Sequence, residues 1–229
     1  MALPINVSEL IENRVVESNR IEYKKDWNPE PIVHTIAAFA NDIDNCGGGY
    51  IVIGVEEEDG LPVIPVSGLE KKSLDKIQKD ILNKCNLIEP RYIPVVKPDV
   101  YKGKDILIIW APGGDDRPYR CPVVLNSEKT SKKSEKVYYI RKKSNTINAN
   151  QREERELIGL SRDVPFDDRI NLNADILDMR SSLISEFLHS VGSDLYIDSL
   201  TRPLESVATD MRLIGGPKEY RKPVNVQCH

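Results

Sequence analysis

Gly47-Gly48-Gly49-Tyr50-Ile51-Val52-Ile53-Gly54-Val55 is the stretch on which the reading of this chain turns. Three glycines followed by an unbroken apolar run predict a positive-φ turn feeding a buried core strand. Just upstream, Ile32 to Ile43 is apolar and Ala-rich. It follows Pro31, a residue suited to a first helical position, so a largely buried helix is expected there. Further back, Arg20-Ile21-Glu22-Tyr23-Lys24 alternates polar and apolar with the period of a half-buried strand, and Val7 to Ile11 suggests a short capped helix. Downstream, Leu74, Ile77, Ile81 and Leu82 have helical spacing within Ser73 to Cys85. Tyr92 to Val100 and Asp105 to Trp110 read as a strand pair joined at Lys102-Gly103. Val123 to Leu125 and Val137 to Arg141 read as two more strands around a Lys/Ser loop, and Gln151 to Leu160 as a helix. The fold class expected is α/β (α+β), a mixed sheet with packed helices over residues 1–160.

Asp163-Val164-Pro165-Phe166-Asp167-Asp168 reads as a linker. Residues 165–229 then form a smaller helical segment, with Ile176 to Val191 stopped by Gly192 and Leu204 to Ile214 stopped by Gly215-Gly216-Pro217. No closing element is apparent at Val224-Asn225-Val226, and a bare helical pair makes no core of its own. The expectation is the start of a longer C-terminal region, or a piece that needs the first domain to pack on.

Composition bounds the function. The 229 residues are 40% hydrophobic and 30% charged, enough for a packed core. No run approaches the roughly 20 apolar residues of a membrane span. Met1 to Glu12 lacks the cationic start and apolar stretch of a signal peptide. Cys46, Cys85, Cys121 and Cys228 stand far apart, without zinc-site spacing, as reduced thiols of a cytoplasmic protein would. The net charge of −4 excludes a uniformly basic nucleic-acid coat, but the charge is uneven. Between Arg117 and Lys143 lie nine basic residues (Arg117, Arg120, Lys129, Lys132, Lys133, Lys136, Arg141, Lys142, Lys143) and two acids, Glu128 and Glu135. Such a stretch suits a polyanion, since phosphate contact needs several cations that displace counterions, and Tyr138 and Tyr139 would stack on bases if they faced outward. The alternative is a solvated hairpin tip.

Among the acids, Glu17, Glu22 and Glu57 lie before, on and just after predicted strands, with Lys24 near. Strand alternation puts Glu22 and Lys24 on one face. Converging carboxylates are the usual holder of Mg²⁺ or Mn²⁺, which activates water against a phosphodiester; a solvated acidic rim is the alternative. The glycine cluster is not a phosphate loop. It runs helix–glycine–strand rather than strand–glycine–helix, and no Gly-x-x-x-x-Gly-Lys-Ser/Thr occurs, which argues against an ATPase. The three histidines are too scattered for a triad, and no Gly-x-Ser-x-Gly occurs.

Three segments together carry a resemblance. Glu17-Ser18-Asn19-Arg20-Ile21-Glu22-Tyr23-Lys24 is similar to the Glu-Ser-x-x-x-Glu-Phe-Lys opening of the Schlafen AlbA_2 domain. Ala38-Phe39-Ala40-Asn41 with Gly48-Gly49-Tyr50-Ile51-Val52-Ile53-Gly54-Val55 resembles its core. Tyr139-Ile140-Arg141, Ser144-Asn145-Thr146 and Ala149 resemble its close, so the likeness covers roughly residues 9–160. In bacterial and archaeal members the resemblance implies a DNA-binding domain of transcriptional regulators. In animal Schlafens it implies an RNA-cleaving module whose metal-dependent site falls here on Glu17, Glu22 and Glu57. The chain departs from the pattern in its longer link Asp42 to Gly47, in Glu57 where Asp is typical, and in Lys143 where Gly is common.

The expected function is therefore nucleic-acid binding of transcriptional-regulator type, with DNA or RNA as partner and no membrane. Arg117, Arg120, Lys132, Lys133, Arg141, Lys142 and Lys143 would meet phosphates. The alternative is a Schlafen-type endoribonuclease with Mn or Mg on Glu17, Glu22 and Glu57 and with Lys24 steadying a phosphate or the carboxylates. A third reading is a protein-interaction module, and a homodimer is left open.

Overall fold

The computed structural model describes residues 5–13, 15–125, 135–162, 166–171 and 173–225. It divides into two compact units, Met1–Arg162 and Asp163–His229.

In the first unit, α1 (Val7–Glu12) is capped by Asn6, whose side chain accepts from the Glu9 N–H. Strand β1 (Ile21–Lys24), α2 (Pro29–Asn41) and β2 (Gly49–Ile53) form a crossover, β1 and β2 pairing in parallel with Glu22 opposite Ile51. Strands β3 (Glu57–Glu58) and β4 (Leu61–Pro62) make a minimal hairpin. After α3 (Leu74–Cys85) come β5 (Val95–Tyr101) and β6 (Lys104–Ala111). They are joined at Lys102-Gly103, where both residues have positive φ, as a tight two-residue hairpin turn requires. The resulting sheet, in the order β1-β2-β6-β5, is mixed: β1 and β2 are parallel and the other pairs antiparallel. A second, antiparallel sheet has the order β7 (Arg120–Pro122), β8 (Lys136–Lys142), β9 (Asn145–Asn148), and α4 (Gln151–Arg162) follows.

Every residue of β2 is buried because both sheet faces are covered. Ile51, Ile53, Leu107 and Ile109 meet α2 and α3, while Val52, Ile106 and Ile108 meet Val7 and Ile11 of α1 and Tyr23 of β1. The glycines at the start of β2 are required by close approach. A Cβ on Gly49 would lie 2.4 Å from the Phe39 ring, and one on Gly48, at φ +73°, would lie 2.0 Å from the Ala111 carbonyl oxygen. The long link after α2 is organised by Asp42, itself at φ 40°, whose carboxylate accepts from the N–H groups of Cys46 (2.8 Å) and Gly47 (2.9 Å).

Two expectations in this unit change. The strand expected at Val123–Leu125 lies at Arg120–Pro122 instead, where Cys121 points into the core while Val123 and Val124 are exposed. Tyr139 does not face outward for base stacking: it is buried and stacked on His34 at 4.1 Å. Tyr138, on the opposite face of β8, packs toward Ile140 and Leu157 of α4.

The second unit is mainly helical, with α5 (Ser181–Ser190), α6 (Leu195–Thr201) and α7 (Leu204–Asp210). The long helix expected over Ile176–Val191 is broken at Met179–Arg180. The single turn Ile176–Asp178 closes on itself through a capping box made by Asp175 and Asp178. A closing element does exist: β10 (Ile214–Gly215) pairs with β11 (Lys222–Pro223), and Val224 bridges to Ile170. Its core is small, built on Leu188, Val207, Ala208 and Ile214. Among the described residues no helix is long and apolar enough to cross a membrane.

Candidate functional site

The site grows from the edge of β1. Glu17 precedes the strand, and its Oε1 accepts from the Tyr23 N–H at 2.7 Å. The Glu17 N–H in turn donates to the Gly60 carbonyl at 2.7 Å, which ties the segment to the β3–β4 turn. Burial raises the Glu17 carboxyl above its ordinary range. The Tyr23 N–H and Lys24 oppose the shift, while Glu22 and Glu57 add to it. The Tyr23 phenol, donating to the Val15 carbonyl at 2.9 Å, is pushed up to about 12 by burial and by Glu17.

Glu22 and Lys24 share a face of β1, as alternation requires, but that face is not solvated. Glu22 is 6% exposed. Its Oε1 lies 2.5 Å from the Lys24 ammonium and its Oε2 takes the Arg141 guanidinium. Lys24 also stands 4.0 Å from Glu17. Glu57 is exposed and uses Oε2 on the Gly60 N–H, 2.7 Å away within its own turn. The structure thus brings Arg141 and Lys24 together on Glu22, with Glu17 4.0 Å from Lys24 and Glu57 acting on Glu17 at longer range.

Arg141 is the residue that sequence reasoning misplaced. It was expected at phosphates but is 4% exposed, because β8 turns alternate side chains inward toward α2. Besides Glu22, it donates to Thr146 Oγ1 (3.0 Å) and the Ser18 carbonyl (3.2 Å) and lies over the Phe39 ring at 5.3 Å. Thr146 is held by Thr35 at 2.8 Å. Arg117 is likewise turned to structure, donating to the Asp42 carbonyl at 3.1 Å and standing 4.0 Å from its carboxylate.

Among the other described cations of the stretch, Lys136 is paired with Glu89 at 2.8 Å, while Arg120, Lys142 and Lys143 are accessible. Arg120 is half exposed and pairs loosely with Glu89 (3.5 Å). Lys142 is half exposed, 3.5 Å from Glu153. Lys143 is exposed at the β8–β9 turn and holds φ 55°, the conformation of the glycine it replaces. Lys132 and Lys133 lie outside the described residues. Two structural residues escaped sequence reasoning. Asp42 carried only the signal of preceding a glycine run, and His34 sits in the interior of α2, with its imidazole pushed down by burial.

The donor set does not fit a divalent ion. Glu22 spends both oxygens on cations of the chain, Lys24 and Arg141 offset the charges of Glu17 and Glu22, and the exposed Glu57 uses one of its oxygens on its own turn. A Mg²⁺ or Mn²⁺ site needs a net negative cage with open oxygens. Among the described residues no group of three or more His, Cys, Asp or Glu side chains is placed to hold a metal.

No curated protein matches the chain. Several solved structures resemble it. The DIP2311 protein from Corynebacterium diphtheriae is 15% identical, with TM-score 0.42 over 90% of this chain and 34% of that one. The N-terminal domain of a RecG-related protein from Nitrosomonas europaea is 24% identical, with TM-score 0.40 over 66% of this chain and 94% of that one. This chain therefore spans about a third of the length of the first. The Schlafen AlbA_2 family model matches residues 17–150, from Glu17 through the Ala-Phe-Ala-Asn and glycine segments to the β9 strand, and the chain belongs to that family.

Proposed function

We propose that the chain binds nucleic acid through the accessible cations of its second sheet, as a DNA-binding module of transcriptional-regulator type. The observation that carries this reading is the sorting of the basic stretch. Arg117 and Arg141 are turned inward to structure, whereas Arg120, Lys142 and Lys143 stay accessible. A chain of net −4 concentrates nine bases against two acids between Arg117 and Lys143. Strand β8 spans about 20 Å at roughly 3.3 Å per residue. A surface of that length, with Arg120 on β7 and Lys142 and Lys143 at its end, matches about six phosphates along one strand of a duplex at about 3.4 Å each. Family membership supports the same reading. Work in the cytoplasm is consistent with the free thiols of Cys46, Cys85 and Cys121. The internal pairing of Glu22 with Lys24 and Arg141 favours binding over cleavage.

The test is retardation of labelled single- and double-stranded DNA and RNA in EDTA over a salt series. Each phosphate contact on duplex DNA should contribute about −0.9 to the slope of log K against log salt. Reversal of Lys132, Lys133, Lys142 and Lys143 to Glu should abolish binding, and reversal of Arg180 and Arg212 should leave it. Equal loss from both sets, or binding that appears only with Mn²⁺, would overturn the proposal; no retention of any nucleic acid would favour a protein-interaction module.

A further inference from the structure

We infer that Arg141 is the resident cation of the acidic site, filling the role that the family resemblance gives to a divalent metal, so that the site is complete without one. Its guanidinium is approached from three elements. Glu22 comes from β1, the Ser18 carbonyl from the turn before it, and Thr146 from β9, with Thr35 of α2 bracing that hydroxyl. The Phe39 ring closes one side. A planar fork held in this way satisfies a carboxylate, a carbonyl and a hydroxyl at fixed angles, which a spherical ion with its own coordination demands does not reproduce. Lys24 then takes the second oxygen of Glu22 and lies near Glu17. A metal entering here would have to displace both cations and leave the 4%-exposed guanidinium buried against Ser18 and Thr146 without its counter-charge. That arrangement is strongly disfavoured in a protein interior.

The inference does not depend on nucleic-acid binding and is read on the full chain alone. Thermal unfolding followed by tryptophan fluorescence, together with Mn²⁺ electron paramagnetic resonance, is measured in MnCl2 and in EDTA. The wild type should melt at the same temperature in both and should leave the aqueous Mn²⁺ signal unchanged. Arg141→Gln should melt lower in EDTA and gain a Mn²⁺ response, because the vacated carboxylates become a net negative cage. A ligand at a hundred times its Kd raises the Tm of a domain this size by roughly 5–10 °C. The added change Glu22→Gln should erase that response. Lys24→Gln, at a side chain 29% exposed, keeps the fold and tests the same point with Arg141 in place, and it should show no Mn²⁺ response. A Mn²⁺ shift in the wild type or in Lys24→Gln, or none in Arg141→Gln, overturns the inference.

Discussion

Asn41 closes the Ala-Phe-Ala-Asn segment of α2, and its position defines what that segment is for. The side chain is fully buried. Its amide donates to the Tyr119 carbonyl at 2.9 Å and the Tyr139 carbonyl at 2.8 Å, and its oxygen accepts from the Tyr119 N–H at 2.6 Å. One amide thus clamps the approach to β7 and the middle of β8 onto α2. Asn41→Ala leaves two carbonyls and one N–H buried without partners, each costing about 1–3 kcal/mol. A total of about 4 kcal/mol is a large part of the 5–15 kcal/mol typical of a whole domain. At roughly 2–4 °C per kcal/mol for this size, the Tm should fall by about 8–16 °C. Both tryptophans, Trp27 and Trp110, belong to the first unit, so their fluorescence reports its unfolding without a signal from the second. Asn41→Asp should be at least as harmful, because a carboxylate sets lone pairs against the two carbonyls it must satisfy. If Asn41→Ala melted within about 3 °C of wild type while nucleic-acid affinity collapsed, Asn41 would be a contact residue and the clamp reading would be wrong.

Three further outcomes follow from the geometry. His34 Nε2–H donates to the Pro122 carbonyl (2.9 Å), and burial holds its imidazole below the ordinary 6.5. Its contribution is therefore fully present above that value and is lost as pH falls through the folded value; Tm followed on acidification should fall in the wild type and flatten in His34→Phe, which keeps the stack on Tyr139. Glu17, raised by burial, acts with the opposite sign: its contribution is present below the ordinary carboxylate range and lost as pH rises through the folded value. Glu17→Gln should accordingly leave the neutral-pH Tm unchanged or higher. Lys143→Gly should relieve the left-handed strain, raising stability by about 1 kcal/mol, while weakening retention of nucleic acid. A loss of both would remove the case for a cation kept at conformational cost.

Much of the first unit was legible because its signals are local. The apolar run at Tyr50–Ile53 and the Lys102-Gly103 turn each specify themselves within a few residues, and the structure places both there, while the helix before the run begins at Pro29, two residues ahead of the expected Pro31 start. What stayed hidden depends on partners far along the chain. Arg141 and Glu22 are separated by 119 positions, so a basic run read by composition gave no sign that its most buried member belonged to an acid on β1. The strand period did contain a hint, since Tyr139 and Arg141 must share a face, and a tyrosine packed on α2 draws the arginine inward with it. The closing ribbon of the second unit was invisible for the same reason. Ile170 meets Val224 across the whole unit, and neither residue sits in a run long enough to announce a strand.

The alternation of β8 also explains why adjacent bases differ in use. Arg141 goes inward because its guanidinium reaches Glu22, the Ser18 carbonyl and the Thr146 hydroxyl together, and doing so neutralises the buried Glu22 carboxylate. With that charge cancelled internally, the field outside is set by whatever remains exposed, which at this end includes Lys143 and Lys142, the latter 3.5 Å from Glu153. Screening at physiological salt acts over about 8 Å, so acids elsewhere in a chain of net −4 do not quench a local patch at that range. Exchanging the roles would fail both ways. A lysine at the inner position offers no fork, and an arginine pair outside cannot compensate for a glutamate left buried without its counter-charge. The buried arginine is thus a condition for the exposed lysines to act as a basic surface.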